Sequence, residues 1–221
     1  MLILSISTSS NICSAALLKD DFVIEELNIN DSKTHSVNLM PLINKILTSN
    51  NVKISDIDLI ACDNGPGSFT GIRIGISTVK GLAAVHDIPI ITITSLQALA
   101  HNVSKNNGYI CSLIDARNNQ VYCGIFDNNY SLCEDYIADD FNTVIHILNK
   151  YRDITFVGNG CTLDNFFMNM DHQNIDSNIH SKNIGLAAFQ KYKDGMSQTS
   201  NSIFPIYLRP SQAERMSQKD G

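Results

Sequence analysis

Gly65-Pro66-Gly67-Ser68-Phe69-Thr70-Gly71-Ile72-Arg73-Ile74-Gly75 is the stretch on which the interpretation of this chain turns. It follows an apolar run of strand character, Ile57 to Asp63, and opens a helical pattern that continues to Val85. Four glycines in eleven residues at a strand-to-helix junction leave room for a close neighbour. Two neighbours suit the spacing. One is an anion, held by outward backbone N–H groups and the positive end of the helix, which would use Gly65, Gly67, Ser68, Thr70 and Gly71. The other is a second backbone packed against Gly71, Gly75 and Gly81. The common nucleotide motifs do not fit: no Lys-Ser or Lys-Thr follows Gly71, and the spacing is one residue longer than Gly-x-Gly-x-x-Gly. Ser68 is not framed as in a nucleophile elbow either.

Upstream, Leu2–Thr8, Cys13–Leu18 and Phe22–Asn28 alternate with turn-forming clusters and predict an antiparallel meander. Leu39, Leu42, Ile43, Ile46 and Leu47 then recur at helical spacing, with Pro41 expected to kink the helix. Downstream, a strand over Ile88–Ile93 precedes a helix that opens at Thr94 or Ser95. Sliding the chain by about 107 residues lays Ile3 on Ile110, Asn11 on Asn118, Leu18 on Ile125 and Asp20 on Asp127, so the opening pattern recurs. The repeat predicts a meander over Tyr109–Tyr136, a helix over Phe141–Tyr151 and a strand over Ile154–Val157. Two α/β lobes follow, residues 1–104 and 105–210, with a polar tail at 211–221 and the boundary in Asn102–Gly108. Met168–Asn183 reads as a long irregular connection, Ile184–Lys193 as a short helix, and Phe204–Leu208 as an extended segment.

Composition excludes several functions. The formal net charge is −6, with arginine only at Arg73, Arg117, Arg152, Arg209 and Arg215, so the chain lacks a field to neutralise many phosphates. Contact with RNA is expected to be indirect, through a partner. Six cysteines without a Cys-x-x-Cys pair read as free thiols of a reducing cytosol. No apolar run reaches the ~18 residues that cross a membrane, so a cytoplasmic location is expected. The histidines are scattered, which argues against a metal site, and no serine, threonine or cysteine has a base placed beside it by sequence. Asp115-Ala116-Arg117 at the end of a strand is expected to brace the following turn.

The two amphipathic helices carry apolar stripes wider than one sheet face requires. We expect a protein–protein interface there, through His35, Leu39, Leu42, Ile43 and Ile46 on the first helix and Ile72, Arg73, Ile76 and Val79 on the second.

The order of separated motifs resembles the TsaB (YeaZ) family, a branch of the actin/Hsp70-like (ASKHA, ribonuclease H-like) two-lobe fold. The resemblance runs nearly end to end. It is carried by Ile6-Ser7-Thr8-Ser9, His35-Ser36 with Leu39 and Pro41, the glycine run, and Ser95-Leu96-Gln97-Ala98-Leu99-Ala100. Asp115-Ala116-Arg117 with Val121-Tyr122, Gly158-Asn159-Gly160 and Pro205-Ile206-Tyr207-Leu208-Arg209 complete it. It implies a non-catalytic subunit of the machinery that adds threonylcarbamoyl to the adenosine 3′ of the anticodon in tRNAs reading codons that begin with A. The implied partners are a catalytic TsaD-type subunit and a TsaE-type ATPase, with a homodimer when the chain is alone. The resemblance implies no cofactor of its own and allows ATP or ADP a place at a subunit interface. The metal-binding histidines of TsaD correspond to Ser95 and Leu99, neither able to replace them. Ser7 stands where the family commonly has Asp, which argues against independent ATP hydrolysis. The rival readings are a glycoprotease-like peptidase and an actin-like ATPase.

Overall fold

The computed structural model describes residues 1–31, 34–104, 107–163 and 175–209. Strands β1 (Leu2–Ser7), β2 (Cys13–Lys19) and β3 (Phe22–Ile29) lead into helix α1 (His35–Ser49). Strand β4 (Leu59–Asp63), helix α2 (Phe69–His86), strand β5 (Ile90–Ile93) and helix α3 (Ser95–Ala100) follow. The second half contributes β6 (Tyr109–Arg117), β7 (Gln120–Phe126), β8 (Ile137–Asp140), α4 (Phe141–Leu148), β9 (Ile154–Val157) and α5 (Ser181–Lys193). The first sheet has the order β3-β2-β1-β4-β5 and the second β8-β7-β6-β9. In each, the first strand pairs antiparallel with the second and parallel with the strand after the helix, so the duplicated topology expected from the repeat is present.

Alternation along the strands sorts the core into layers. Leu4, Ile6, Ile60 and Cys62 face α1 and α2, whereas Ile3, Leu59 and Ala61 face α3 and α5. A third cluster joins the second sheet to α4 through Leu113, Val121, Ile125, Val144 and Leu148. Helices α3 and α5 therefore lie between the sheets, and one apolar core links the lobes.

Pro41 lies within α1 on the solvent side, where the carbonyl deprived of its N–H partner can be hydrated. Three expectations are corrected. The third strand of the second meander begins at Ile137, beyond Tyr136. Asp127 Oδ1 accepts from the N–H groups of Asn129 and Ser131 at 2.8 and 2.9 Å and folds that region into a loop instead. Helix α5 starts at Ser181, inside the stretch expected to be irregular. Its first turn has no local cap: Ser14 Oγ accepts from Ser181 N–H at 3.0 Å and Glu26 Oε1 from Lys182 N–H at 2.9 Å, so distant strands satisfy it. Finally, α5 packs on β1, β2, β4 and β5, which returns Ser181 onward to the first lobe although it lies beyond residue 104. Part of the irregular stretch and the polar tail, 211–221, lie outside the described residues.

His180 clamps the start of α5 between two carboxylates, with Nε2 2.7 Å from Asp176 Oδ2 and Nδ1 3.4 Å from Glu26 Oε2. Glu26 raises its pKa above 6.5 most, and Asp176 adds to the rise against the opposing effect of burial. Burial pushes Glu26 and Asp176 up, but the donors from His180, Lys182 and Asn178 outweigh it and hold both below their ordinary values. The carboxylates thus stabilise the fold above their unfolded pKa values and lose this as pH falls through their folded ones. The His180 contribution is complete below about pH 6.5 and is lost as pH rises through its raised folded pKa. Denaturant melts between pH 5.5 and 9 should show wild-type stability falling across the alkaline part of that range, and His180→Gln should remove that component.

Candidate functional site

The C-terminal ends of β1 and β4 meet the start of α3 at a buried polar corner built on Asp63. Ser7 Oγ donates to Asp63 Oδ2 at 2.7 Å, Ser9 Oγ donates to the same oxygen, and the Thr8 N–H reaches Oδ1 at 3.4 Å. Ser95 Oγ closes the set, 2.9 Å from Ser9 Oγ and 3.4 Å from Asp63 Oδ2. Burial raises the Asp63 pKa, and the donors from Ser9, Ser7 and Thr8 reduce that rise without cancelling it. In the sequence Asp63 stands out only as the last residue of a strand, yet a signal does mark it. A carboxylate at the carboxyl end of an apolar strand, beside a glycine loop, is where open α/β sheets place polar chemistry. Ser7 thus donates to an acid one strand over. Ser95 and Leu99 are both buried, and no cluster of three His, Cys, Asp or Glu suited to a metal occurs among the described residues.

The glycine run is packed against the chain's own first turn. A Cβ on Gly71 would lie 1.9 Å from the Thr8 carbonyl oxygen, one on Gly75 2.4 Å from Thr8 Oγ1, and one on Gly67 2.4 Å from the Ser9 carbonyl oxygen. The turn is also bonded there: Ser68 N–H donates to the Ser9 carbonyl at 2.7 Å, and Thr8 Oγ1 donates to the Gly71 carbonyl at 2.8 Å. Ser68 caps α2 by accepting from Gly71 N–H at 3.2 Å. Of the two neighbours that suited the spacing, the backbone occupies Gly67 and Gly71, while Thr70 stays exposed. Gly81 differs, for it is exposed, and a Cβ added there would meet no described atom within 4 Å.

The expected interface residues divide. Leu39, Leu42, Ile43, Ile46, Ile72, Ile76 and Val79 are all buried between the first sheet and its helices, so the wide stripes are core and are not available to a partner. His35 is half-buried, with Nε2 2.7 Å from the Ser10 carbonyl oxygen. Only Arg73 of the nine is exposed. Its guanidinium lies 3.9 Å over the Phe69 ring, and Nε donates to Tyr207 Oη at 2.8 Å. Tyr207 itself stacks on Phe69 at 4.7 Å. Tyr207 belongs to a strap, Ile203 to Arg209, that crosses back to the glycine loop, where Ile206 N–H donates to the Asn64 carbonyl at 2.8 Å. The outward apolar groups of α1 are Val37 and Met40, 56% and 48% exposed. Phe69, Val85 and Phe204 extend that surface along α2, with Lys80 4.7 Å over the Phe204 ring.

Asp115 braces its turn through the backbone, since its Oδ1 accepts from Arg117 N–H at 2.6 Å. Arg117, Asn118 and Asn119 all have positive φ, which makes this a tight hairpin where the first lobe has a wide turn over residues 8–12. Arg209 ends the strap with Nη1 buried and unbonded among the described residues.

Residues 27–215 match the family model described as TsaD: tRNA N6-adenosine threonylcarbamoyltransferase. The tRNA threonylcarbamoyladenosine biosynthesis protein TsaB of Bacillus subtilis (strain 168) is 33% identical, over 97% of this chain and 96% of its own length. The chain belongs to the TsaB (YeaZ) family. Among solved structures, a Pseudomonas aeruginosa protein described as similar to peptidase YEAZ superposes with a TM-score of 0.77 at 25% identity, covering 94% of this chain and 99% of its own. An activator of 2-hydroxyisocaproyl-CoA dehydratase from Clostridium difficile, with bound ADPNP, gives 0.54 at 11% identity over 94% of this chain and all of its own. The fold is thus the two-lobe actin-like α/β fold, and the named TsaB relatives act in tRNA threonylcarbamoyladenosine biosynthesis. No helix of the described residues is long and apolar enough to cross a membrane.

Two glycines of α2 should respond oppositely. Gly71→Ala forces Thr8 away from the helix and should cost on the order of 3 kcal/mol in a urea melt, whereas Gly81→Ala should stabilise by about 1 kcal/mol. At the corner, Asp63→Ala strips the acceptor from buried hydroxyls and should cost roughly 2 to 4 kcal/mol by the same measurement, with Asp63→Asn milder.

Proposed function

We propose that this chain is a scaffold that activates a catalytic TsaD-type subunit by docking on it, and does no chemistry of its own. The reaction served is the addition of threonylcarbamoyl to the adenosine 3′ of the anticodon in tRNAs reading codons that begin with A. The observation that carries this reading is the solvent-facing surface of α1 and α2, where Val37, Met40 and Phe69 are exposed beside a cradle already filled by residues 8 and 9. Gly81 adds a notch on α2 with no neighbour among the described residues, suited to the close approach of a partner helix. The contact surface is therefore assigned to Val37, Met40 and Pro41 on α1 and to Phe69, Arg73 and Gly81 on α2. The buried aliphatic residues behind them set the angle between the helices.

A TsaE-type ATPase joins this assembly, and a second copy of the chain covers the same face when the catalytic partner is absent. Because the Thr8–Ser9 turn occupies the glycine cradle, ATP or ADP would be held where subunits meet. The net charge of −6 supports contact with tRNA through the partner. The location expected for this work is the cytoplasm. No specific observation favours the peptidase or ATPase reading.

Reconstituted tRNA modification with TsaD-type, TsaE-type and synthetase components should fall at least about tenfold when this chain is left out, the loss of an activating docking energy of roughly 1.4 kcal/mol or more. The double variant Val37→Glu, Met40→Glu should lose association in sedimentation velocity with an unchanged melting curve, while Ile76→Glu should unfold the chain. Undiminished modification without the chain, or wild-type association by the double variant, overturns the proposal.

A further inference from the structure

A second concavity lies away from both the polar corner and the helical face. It is a cleft of about 770 Å³ between the lobes, walled by α3, by the loop that follows β7, and by the C-terminal half of α5. Packing voids are smaller than this, and small-molecule sites fall in this range. Its walls are pre-formed across the lobe junction. Tyr136 Oη is 2.7 Å from Thr94 Oγ1, and Tyr130 Oη donates to the Val103 carbonyl at 3.0 Å, so two rings of the second lobe are tied to the first. The His101 and Tyr130 rings stack at 3.9 Å with 22° between their planes, which gives one wall a rigid flat element. Met196, half exposed at the rim, adds an adaptable apolar contact.

The polar side of the cleft holds one ammonium, Lys191, at its half-buried wall and one carboxylate, Asp194, at its exposed rim, neither of them in an ion pair with the described residues. Gln190 and Lys191 stand in the last turn of α5, and Asp194 is its C-cap. Asp194 accepts from Gln190 Nε2 at 3.3 Å. Lys191 forms no ion pair with the described residues; its Nζ has a contact of 3.5 Å with the Thr92 carbonyl. A half-buried ammonium without a carboxylate partner is an unfavourable arrangement, and burial lowers its pKa accordingly. An anion placed there would relieve it.

We propose that this cleft is a binding site for a small molecule that carries a flat ring and one anionic group, the ring set among His101, Tyr130 and Tyr136 and the anion on Lys191. The occupant bridges α5 of the first lobe to the loop of the second, so it holds the lobes in one relation. The site is independent of the α1–α2 surface.

The test uses the full chain with three probes: 1-naphthoate, naphthalene-1-methanol (ring without charge) and acetate (charge without ring). Ligand-observed NMR titration should give saturable, one-to-one binding of 1-naphthoate with a Kd of roughly 1 mM or tighter, and binding at least about tenfold weaker for the other two. Lys191→Gln should weaken 1-naphthoate about tenfold or more, the loss of one charge-assisted contact, while Lys193→Gln should not. Met196→Glu, a rim variant on an exposed side chain, should weaken it in the same direction and covers the case in which Lys191→Gln fails to fold. Absence of saturable binding overturns the proposal. So does equal affinity for naphthalene-1-methanol, or affinity that neither Lys191→Gln nor Met196→Glu changes.

Discussion

The contact between the Thr8–Ser9 turn and the first turn of α2 governs how the other elements are placed. A helix N-terminus offers unpaired N–H groups and partial positive charge, and some acceptor must meet them. Here the Ser9 carbonyl meets the Ser68 N–H, and Gly71 and Gly75 remove the side chains that would keep Thr8 away. The same turn carries the Ser7 and Ser9 hydroxyls onto Asp63. One close approach thereby ties β1, β4, α2 and, through Ser95, α3. In the second lobe no long helix follows β9 among the described residues, and the equivalent hairpin closes tightly over Asn118-Asn119. The lobes share a topology but differ at the junction that matters.

In a fold shared with a nucleotide-bound protein, this arrangement fills the glycine junction from within the chain. The place where backbone amides would receive an anion is taken by backbone, and the polar corner is turned inward and satisfied by hydroxyls. What faces outward is a helical surface with Val37, Met40 and an arginine laid over the Phe69 ring. The return of α5 and the strap to the first lobe makes that surface rigid, because both faces of the first sheet are then covered by helices and Tyr207 is stacked on Phe69.

How far the sequence is legible depends on the range of the interaction. Strand β1 and the helical spacing of Leu39 to Leu47 are local patterns and are readable. The start of α5 is not, because its cap is Glu26, more than 150 residues away in the chain. The apolar stripes are readable as stripes, yet the expectation that they meet a partner fails. An amphipathic helix announces a buried face without saying whether its own sheet or another protein buries it. Here the sheet does, through Ile6, Ile60 and Cys62.

Periodicity, turn residues and small residues act over a few positions, so the one-dimensional order of residues was enough to establish the duplicated α/β plan, the family and the glycine-dependent junction. Three features needed the folded chain: the occupant of that junction, the anchoring of the corner by Asp63, and the return of the C-terminal helix to the first lobe. Each of those rests on a hydrogen bond or packing contact between segments far apart in the chain, and such pairings leave no mark in the local pattern of either partner.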